Sequence, residues 1–295
     1  MTKKLLITGR DGFTGQYLSQ ALAEKGYDVC GLSRNPKAGT SYSCDLLDKS
    51  AVTSVVNQIQ PDYVIHLAAI SFAAHDDINV IYNVNVLGAL NIIDALASLK
   101  TPPKRVIVAS SAHVYGSQSQ SVLDESLCPN PLSHYATSKL AMEFMLRQWF
   151  DRLPIVITRP FNYTGPGQDK NFLVPKIVSH FKKQAPTISL GNIDVVREFF
   201  DVRSVIDCYC RLLDADNVES QVFNLCSGTG CSVRDIVDCL TSISGHQIQI
   251  KQDPALMRSG EMKKLIGSNE KFVKHVGQPL TYSLEETLLN MLNAS

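Results

Sequence analysis

Tyr135 and Lys139 stand four positions apart in the run Tyr135-Ala136-Thr137-Ser138-Lys139. On a helix, positions i and i+4 share a face, so this spacing aims a phenol and an ammonium into one site. A free phenol ionises near pH ~10, too high for easy proton exchange at neutrality. A neighbouring lysine cation favours the phenolate and is expected to lower that value. Tyr135 would then pass a proton to or from a sugar hydroxyl or ketone oxygen, and Lys139 could also hold the ribose hydroxyls of a cofactor. The apolar run from Arg105 ends at Ser110-Ser111. Carboxyl ends of strands in a doubly wound sheet face the ligand crevice, so Ser111 is placed to hydrogen-bond the reacting oxygen. Alone, a Y-x-x-x-K run is common by chance and a strand-end serine usually caps a loop. Position in the chain gives them weight.

A second group of residues reads as a phosphate-binding turn. Thr8-Gly9-Arg10-Asp11-Gly12-Phe13-Thr14-Gly15 follows an apolar run and opens an amphipathic one. Backbone without Cβ can approach a pyrophosphate closely, and a helix N-terminus supplies free N–H groups and positive potential. The third glycine allows tight packing of helix on strand. The expected cofactor-binding residues are Gly9, Arg10, Gly12, Phe13, Thr14 and Gly15. The second strand ends in Ser33-Arg34, where an NAD-binding site would carry an acidic residue. A guanidinium at Arg34, a hydroxyl at Ser33 and the nearby Arg10 suit a 2′-phosphate, which favours NADP(H) and leaves NAD(H) open. Asp45-Leu46 are expected near the adenine, although Asp45 would equally serve as a helix N-cap.

The elements that must position these residues alternate. Strands are expected over 4–8, 28–32, 63–67, 105–110 and 155–159. Helices are expected over 12–25, 49–60, 79–99 and 135–150. This order implies parallel pairing with right-handed crossovers, hence an α/β fold: a doubly wound Rossmann sheet covered on both faces. After Pro160 the texture changes. A Gly/Pro-rich loop at 162–171 and a helix at 172–183 precede shorter, less regular elements. The expected division is a Rossmann domain over 1–160, to which the chain returns near 200–213, and a smaller mixed α/β substrate-binding lobe over 161–295.

Composition excludes several classes. The 295 residues carry 28 Lys plus Arg and 28 Asp plus Glu, so the basic excess that sequence-blind nucleic-acid binding needs is missing. At 44% apolar and 19% charged the chain reads as compact and soluble. No apolar run approaches the ~20 residues of a membrane span, and the first one, Leu5-Leu6-Ile7, is too short for a signal-peptide core. The eight cysteines form no C-x-x-C pair, which leaves zinc and redox-motif readings without support and points to free thiols in a cytoplasmic protein. Asn162-Tyr163-Thr164 is formally a glycosylation sequon, of little weight without a secretion signal.

Several segments occur in a telling order: Thr8 to Gly15, His66-Leu67-Ala68-Ala69, Ser110 to Gly116, Tyr135 to Lys139 and Arg159-Pro160-Phe161-Asn162. In this the chain resembles the extended short-chain dehydrogenase/reductases, a family of nucleotide-sugar epimerases, dehydratases and reductases. The resemblance implies catalytic roles for Ser111, Tyr135 and Lys139. It puts Leu67, Ala68, Ala69 and Pro160 in the cofactor cleft with Tyr135 and Lys139, and Asn162 and Ser111 at the substrate. Dehydratases of the family carry a glutamate where His113 stands, which counts against that reaction. The family's 4-epimerases retain NAD through an acidic residue that Ser33-Arg34 lacks. Segments 159–168, 191–202 and 253–258 resemble those of the family's GDP-hexose branch, and most closely its 4-keto-6-deoxyhexose reductases. That resemblance implies Arg197 and Arg258 on the substrate diphosphate and Glu261 on the GDP ribose, with Lys176 assisting. It also implies a homodimer formed by pairing the helices over 79–99 and 135–150 into a four-helix bundle. A 4-epimerase with tightly bound NAD, a 4,6-dehydratase and a catalytically silent NADP sensor are the alternatives.

Overall fold

A computed structural model describes residues 2–36, 41–70, 77–257 and 263–294. The chain opens with β1 (Lys4–Thr8), α1 (Phe13–Glu24), β2 (Asp28–Ser33), β3 (Ser41–Ser43), α2 (Lys49–Ile59) and β4 (Tyr63–His66). A helical rod follows, made of α3 (Ile78–Tyr82), a π turn (Asn83–Gly88) and α4 (Ala89–Ala97). Then come β5 (Arg105–Ala109), a 3₁₀ turn (Ala112–Tyr115), α5 (His134–Leu146) and β6 (Ile155–Pro160). The remainder holds β7 (Tyr163–Thr164), α6 (Leu173–Lys182), β8 (Thr187–Leu190), β9 (Val196–Arg197), β10 (Phe200–Asp201), α7 (Val202–Asp214) and β11 (Gln221–Leu225). Last are β12 (Cys231–Ser232), α8 (Val233–Ser244), β13 (Gln249–Gln252), β14 (Lys264–Leu265), α9 (Glu270–Val276) and α10 (Leu284–Asn293).

Seven strands form one parallel sheet in the order β11-β6-β5-β4-β1-β2-β3. Side chains alternate across it, as the two-residue period of a strand requires. Leu5, Ile7, Ile65 and Ile107 face one way, against Leu18 and Leu22 of α1 and Val205 and Tyr209 of α7. Leu6, Val64, Val106 and Val108 face the other, against Val52 and Val56 of α2, Ile92 and Leu96 of α4 and Met142 of α5. Both faces are covered, so the central strands β1, β4 and β5 read as near-continuous apolar runs. The order reverses between β1 and β4, and their carboxyl ends, Thr8 and His66, pair in register there. A ligand crevice belongs at such a reversal.

Sequence reasoning missed β3 and β11 and expected helices a few residues longer than they are. The rod 78–97 also departs from expectation: its 20 residues are apolar and long enough to cross a membrane by that criterion alone. Asn83, Asn85, Asn91 and Asp94 interrupt the run in sequence, while Ile81, Ala89, Ile92, Ile93 and Leu96 are buried. Beyond β6 a second core gathers Val174, Ile177 and Phe181 of α6 with Ile188, Leu190, Ile236, Leu240 and Leu288. The short strands β12, β9 and β14 form a three-stranded sheet beside it.

Candidate active site

The glycine turn is closed by backbone. Gly9 adopts φ +73°, where a side chain is strained, and its N–H donates to the Leu32 carbonyl at 3.1 Å. A Cβ on Gly9 would lie 2.9 Å from the Ala68 nitrogen, and one on Gly15 only 2.3 Å from the Gly9 oxygen. Gly12 caps α1 without a side-chain hydrogen bond, and the first turn carries no acidic residue. The helix therefore presents N–H groups and positive potential over a cradle that any Cβ would fill.

Beside it, Arg10 lies over Gly31, where a Cβ would meet Arg10 Cδ at 2.4 Å and Ser41 Oγ at 2.2 Å. Arg10 Nη1 donates to Ser41 Oγ at 3.3 Å and sits 3.7 Å from Asp11 Oδ1. Its Nε is buried with no hydrogen-bond partner among the described residues. Ser33 ends β2, and Arg34 follows on the exposed edge. Asp45 accepts from the Leu47 N–H at 2.9 Å in a local turn. The N-cap of α2 is Asp48, not Asp45, because Asp48 is the residue within reach of the Ala51 N–H, at 2.9 Å. Leu46 faces Gly88 of the rod, and its carbonyl accepts from Asn91 at 2.8 Å. Leu67, Ala68 and Ala69 leave β4 half-buried, with Ala68 N–H donating to Thr8 Oγ1 at 3.2 Å. This cradle with its unpartnered guanidinium nitrogen fits the phosphates of a dinucleotide, which Gly9, Arg10, Gly12, Phe13, Thr14 and Gly15 would hold.

The catalytic candidates meet at the carboxyl edge of β5. Ser111 caps the 3₁₀ turn by accepting from His113 N–H at 3.2 Å, and its side chain is hydrogen-bonded to the Tyr135 phenol. The His113 ring stands edge-on to Tyr135 at 6.2 Å. Ser133 caps α5, which starts the helix just before Tyr135 and brings Lys139 onto the same face. Lys139 is buried, and its Nζ donates to the Ala109 carbonyl at 2.7 Å. Burial pulls its pKa down to about 8, against the pull of the Glu143 carboxylate.

The expected lowering of the Tyr135 pKa is not found. Burial pushes it up to about 12, and the Ser111 hydrogen bond only partly opposes this. The Lys139 ammonium is engaged at Ala109, and loss of water around a phenolate outweighs its effect. Tyr135 therefore holds its proton at neutral pH.

Several site residues escaped sequence reasoning. Tyr163 and Thr14 share a hydroxyl–hydroxyl bond of 2.7 Å, and the Tyr163 ring stacks on Phe13 at 6.1 Å and 15°. His66 shares a 2.8 Å bond from Nδ1 to Thr8 Oγ1, its Nε2 has no partner among the described residues, and burial with Lys139 nearby drives its pKa down to about 3. Asn85, at the π turn, donates to Ser138 Oγ at 3.0 Å and accepts from Ile70 N–H at 2.8 Å. π turns often mark functional sites, and this one turns Asn85 inward.

On the substrate side, Asn162 is half-buried, and its carbonyl accepts from Phe200 N–H at 2.9 Å. Pro160 closes β6 opposite Leu225. Lys176 Nζ donates to the Ser189 carbonyl at 2.9 Å, and the buried Arg197 donates through Nη1 to Val196 O at 2.9 Å. Next to Arg197, the fully buried Glu198 accepts from Ser227 N–H at 2.6 Å and Gly267 N–H at 2.6 Å, joining two loops. Arg258 and Glu261 lie outside the described residues.

A dinucleotide cradle at the reversal of a doubly wound sheet, with Ser, Tyr and Lys at the neighbouring strand end, defines an NAD(P)-dependent oxidoreductase of the extended short-chain dehydrogenase/reductase kind. The chain belongs to the NAD dependent epimerase/dehydratase family, whose profile matches residues 5–226. It is 36% identical to GDP-6-deoxy-D-talose 4-dehydrogenase of Aggregatibacter actinomycetemcomitans, over 98% of each protein. It is 32% identical to GDP-6-deoxy-D-mannose reductase of Pseudomonas aeruginosa, over 99% of this chain and 97% of that one. Among solved structures, RMD from Pseudomonas aeruginosa complexed with NADPH superposes with a TM-score of 0.85 at 30% identity, covering 99% of this chain and 97% of the other.

Proposed function

We infer that this enzyme reduces the 4-keto group of a GDP-linked 6-deoxyhexose with NADPH, converting GDP-4-keto-6-deoxy-D-mannose to a product of the GDP-D-rhamnose type. The observation that carries the reading is Tyr135, held protonated by burial and hydrogen-bonded to Ser111 at the strand edge beside the dinucleotide cradle. Two relatives support the substrate. 6-Deoxy-D-talose and 6-deoxy-D-mannose differ only in configuration at C4, so a 4-dehydrogenase of one and a reductase forming the other meet at a single 4-ketone.

The dinucleotide, when bound, supplies the hydride. Tyr135 gives its proton to the C4 oxygen, and Ser111 hydrogen-bonds the same oxygen and fixes its place. Lys139 holds the ribose hydroxyls. Arg10, Ser33 and Arg34 favour the 2′-phosphate of NADP over NAD. Arg197 and Arg258 clasp the diphosphate as guanidinium forks, Lys176 adds charge, Glu261 binds the ribose of GDP, and Asn162 lies at the sugar. Residues 1–160 serve the cofactor, with the return at 200–213, and residues 161–295 serve the substrate. A homodimer through the rod 78–97 and α5 is part of this reading. So is a cytoplasmic setting, which suits eight cysteines all in the free state.

The test is NADPH oxidation with GDP-4-keto-6-deoxy-D-mannose, with the product's C4 configuration read by NMR. Tyr135→Phe should lose roughly 10²–10⁴-fold in kcat. Undiminished turnover in that variant removes Tyr135 from its role. NAD that co-purifies, with C4 inversion and no net cofactor consumption, would replace the reductase reading by a 4-epimerase.

A further inference from the structure

Tyr135, Lys139 and Glu143 recur at intervals of four along α5, so they form one stripe on one face of the helix. Glu143 is 1% exposed and Lys139 2%. Arg159, at the end of β6, grips both Glu143 oxygens, Nε at 3.0 Å and Nη2 at 2.7 Å. The Tyr115 ring lies 4.8 Å from the guanidinium carbon, and the Tyr115 hydroxyl donates to Asn224 Oδ1 at 2.7 Å. Arg159 is thereby held by a ring contact as well as by Glu143. A buried ion pair contributes little net stability over apolar groups of equal volume. Packing alone therefore does not account for a carboxylate one turn beyond a catalytic lysine.

We propose that Glu143, fixed in place by Arg159, is a positioning residue that keeps Lys139 charged and seated for the ribose hydroxyls at working pH. The proposal rests on the roles given above to Tyr135 and Lys139. The groups facing Lys139 are Tyr135 and Glu143 from α5, His66 from β4, the Ala109 carbonyl of β5 and, behind Glu143, Arg159 of β6. Tyr135 and His66 are neutral near pH 7, His66 because burial bars its proton. Glu143 is thus the carboxylate that opposes the desolvation of the ammonium. Removing the Glu143 charge leaves that desolvation unopposed and releases the Lys139 proton at lower pH.

The experiment measures NADPH and NADH affinity by nucleotide fluorescence across roughly pH 6 to 10. It uses wild type, Glu143→Asp, Glu143→Gln and the double variant Glu143→Gln/Arg159→Met, with kcat profiles alongside. Affinity should fall on the alkaline side with a midpoint near pH 8 in wild type. Glu143→Gln should move that midpoint down by at least about one unit, the double variant by less, and Glu143→Asp should retain it. A purely structural role predicts one midpoint in every folded variant, and that result overturns the proposal. Should Glu143→Gln fail to fold, the double variant decides alone: a midpoint below wild type supports the proposal, an unchanged one overturns it. Binding needs no sugar, so an inactive wild type with a shifting midpoint would reject the substrate reading and leave this inference standing.

Discussion

The hydroxyls of Thr14 and Tyr163 lie 2.7 Å apart and join residues 149 positions distant in sequence. Thr14 belongs to the first turn of α1, at the phosphate cradle. Tyr163 stacks on Phe13 and is close enough to Tyr135 to raise its pKa. The tyrosine therefore links the glycine turn of α1 to the neighbourhood of the Tyr135 phenol. Tyr163→Phe keeps the ring and loses the hydroxyl pair. It should raise KM for NADPH about 3- to 10-fold, the worth of one hydrogen bond, with kcat nearly held. Tyr163→Ala also removes the platform and should lower kcat, with a larger isotope effect from 4-deuterated NADPH. Unaltered KM values in both variants would remove Tyr163 from the cofactor site.

The proposed preference for NADPH can be tested at Gly31, a residue with no side chain. A Cβ at Gly31 would press on Arg10 Cδ and Ser41 Oγ, the far parts of movable side chains, so Gly31→Ala should fold and displace Arg10. The expected result is a loss of roughly tenfold or more in kcat/KM for NADPH, consistent with loss of a charge-assisted hydrogen bond, and little change for NADH. Parallel rates with the two dinucleotides would check this. An equal loss with both would mean that Arg10 does not select the 2′-phosphate.

Local spacing explains which parts of the site were legible in sequence. The glycine turn and the Tyr135–Lys139 pair are patterns within eight residues, set by one turn and one helix face. β3 has only three residues, Ser41–Ser43, and no apolar run to announce it. The sequence offers Asp45 as a cap of α2, and backbone geometry gives that place to Asp48. Glu143 sits one turn past Lys139, a signal that the same i+4 rule could have found. Its partner Arg159 comes from another strand, and Tyr163 meets Thr14 only through the fold. The direction of the Tyr135 pKa was misjudged because spacing reveals shared faces but not loss of water.

His66 should shape the acid stability of the protein. Its folded-state pKa is about 3, below the ordinary 6.5. Between those values the unfolded chain binds a proton that the folded one refuses, so stability falls as pH drops through that window. The cost approaches about 4 kcal/mol at the acid end. Above pH 6.5 the group contributes no slope, since it is neutral in both states. His66→Asn removes this penalty while keeping a polar group toward Thr8. Its stability relative to wild type should rise steadily as pH falls below neutrality, in urea titrations compared at several pH values. A constant difference across the range would show that His66 is protonated when folded.

The rod 78–97 and α5 carry apolar side chains that the chain itself leaves uncovered. Leu87 and Phe144 are each 51% exposed, and Ile78 at the start of the rod is exposed as well. The Arg147 guanidinium lies 4.7 Å from the Phe144 ring, which leaves most of that ring open. Exposed apolar groups on adjacent helices favour association, at ~25 cal/mol for each Å² removed from water. The homodimer proposed above would bury them against the same helices of a second copy, a two-fold arrangement in which each patch meets its own likeness. Sedimentation of wild type should then give a dimer. Leu87→Glu with Phe144→Glu puts four buried like charges into that contact and should give a folded monomer that still binds NADPH, because the cradle at Gly9 to Gly15 lies on other elements. A double variant that sediments with wild type would place the contact elsewhere.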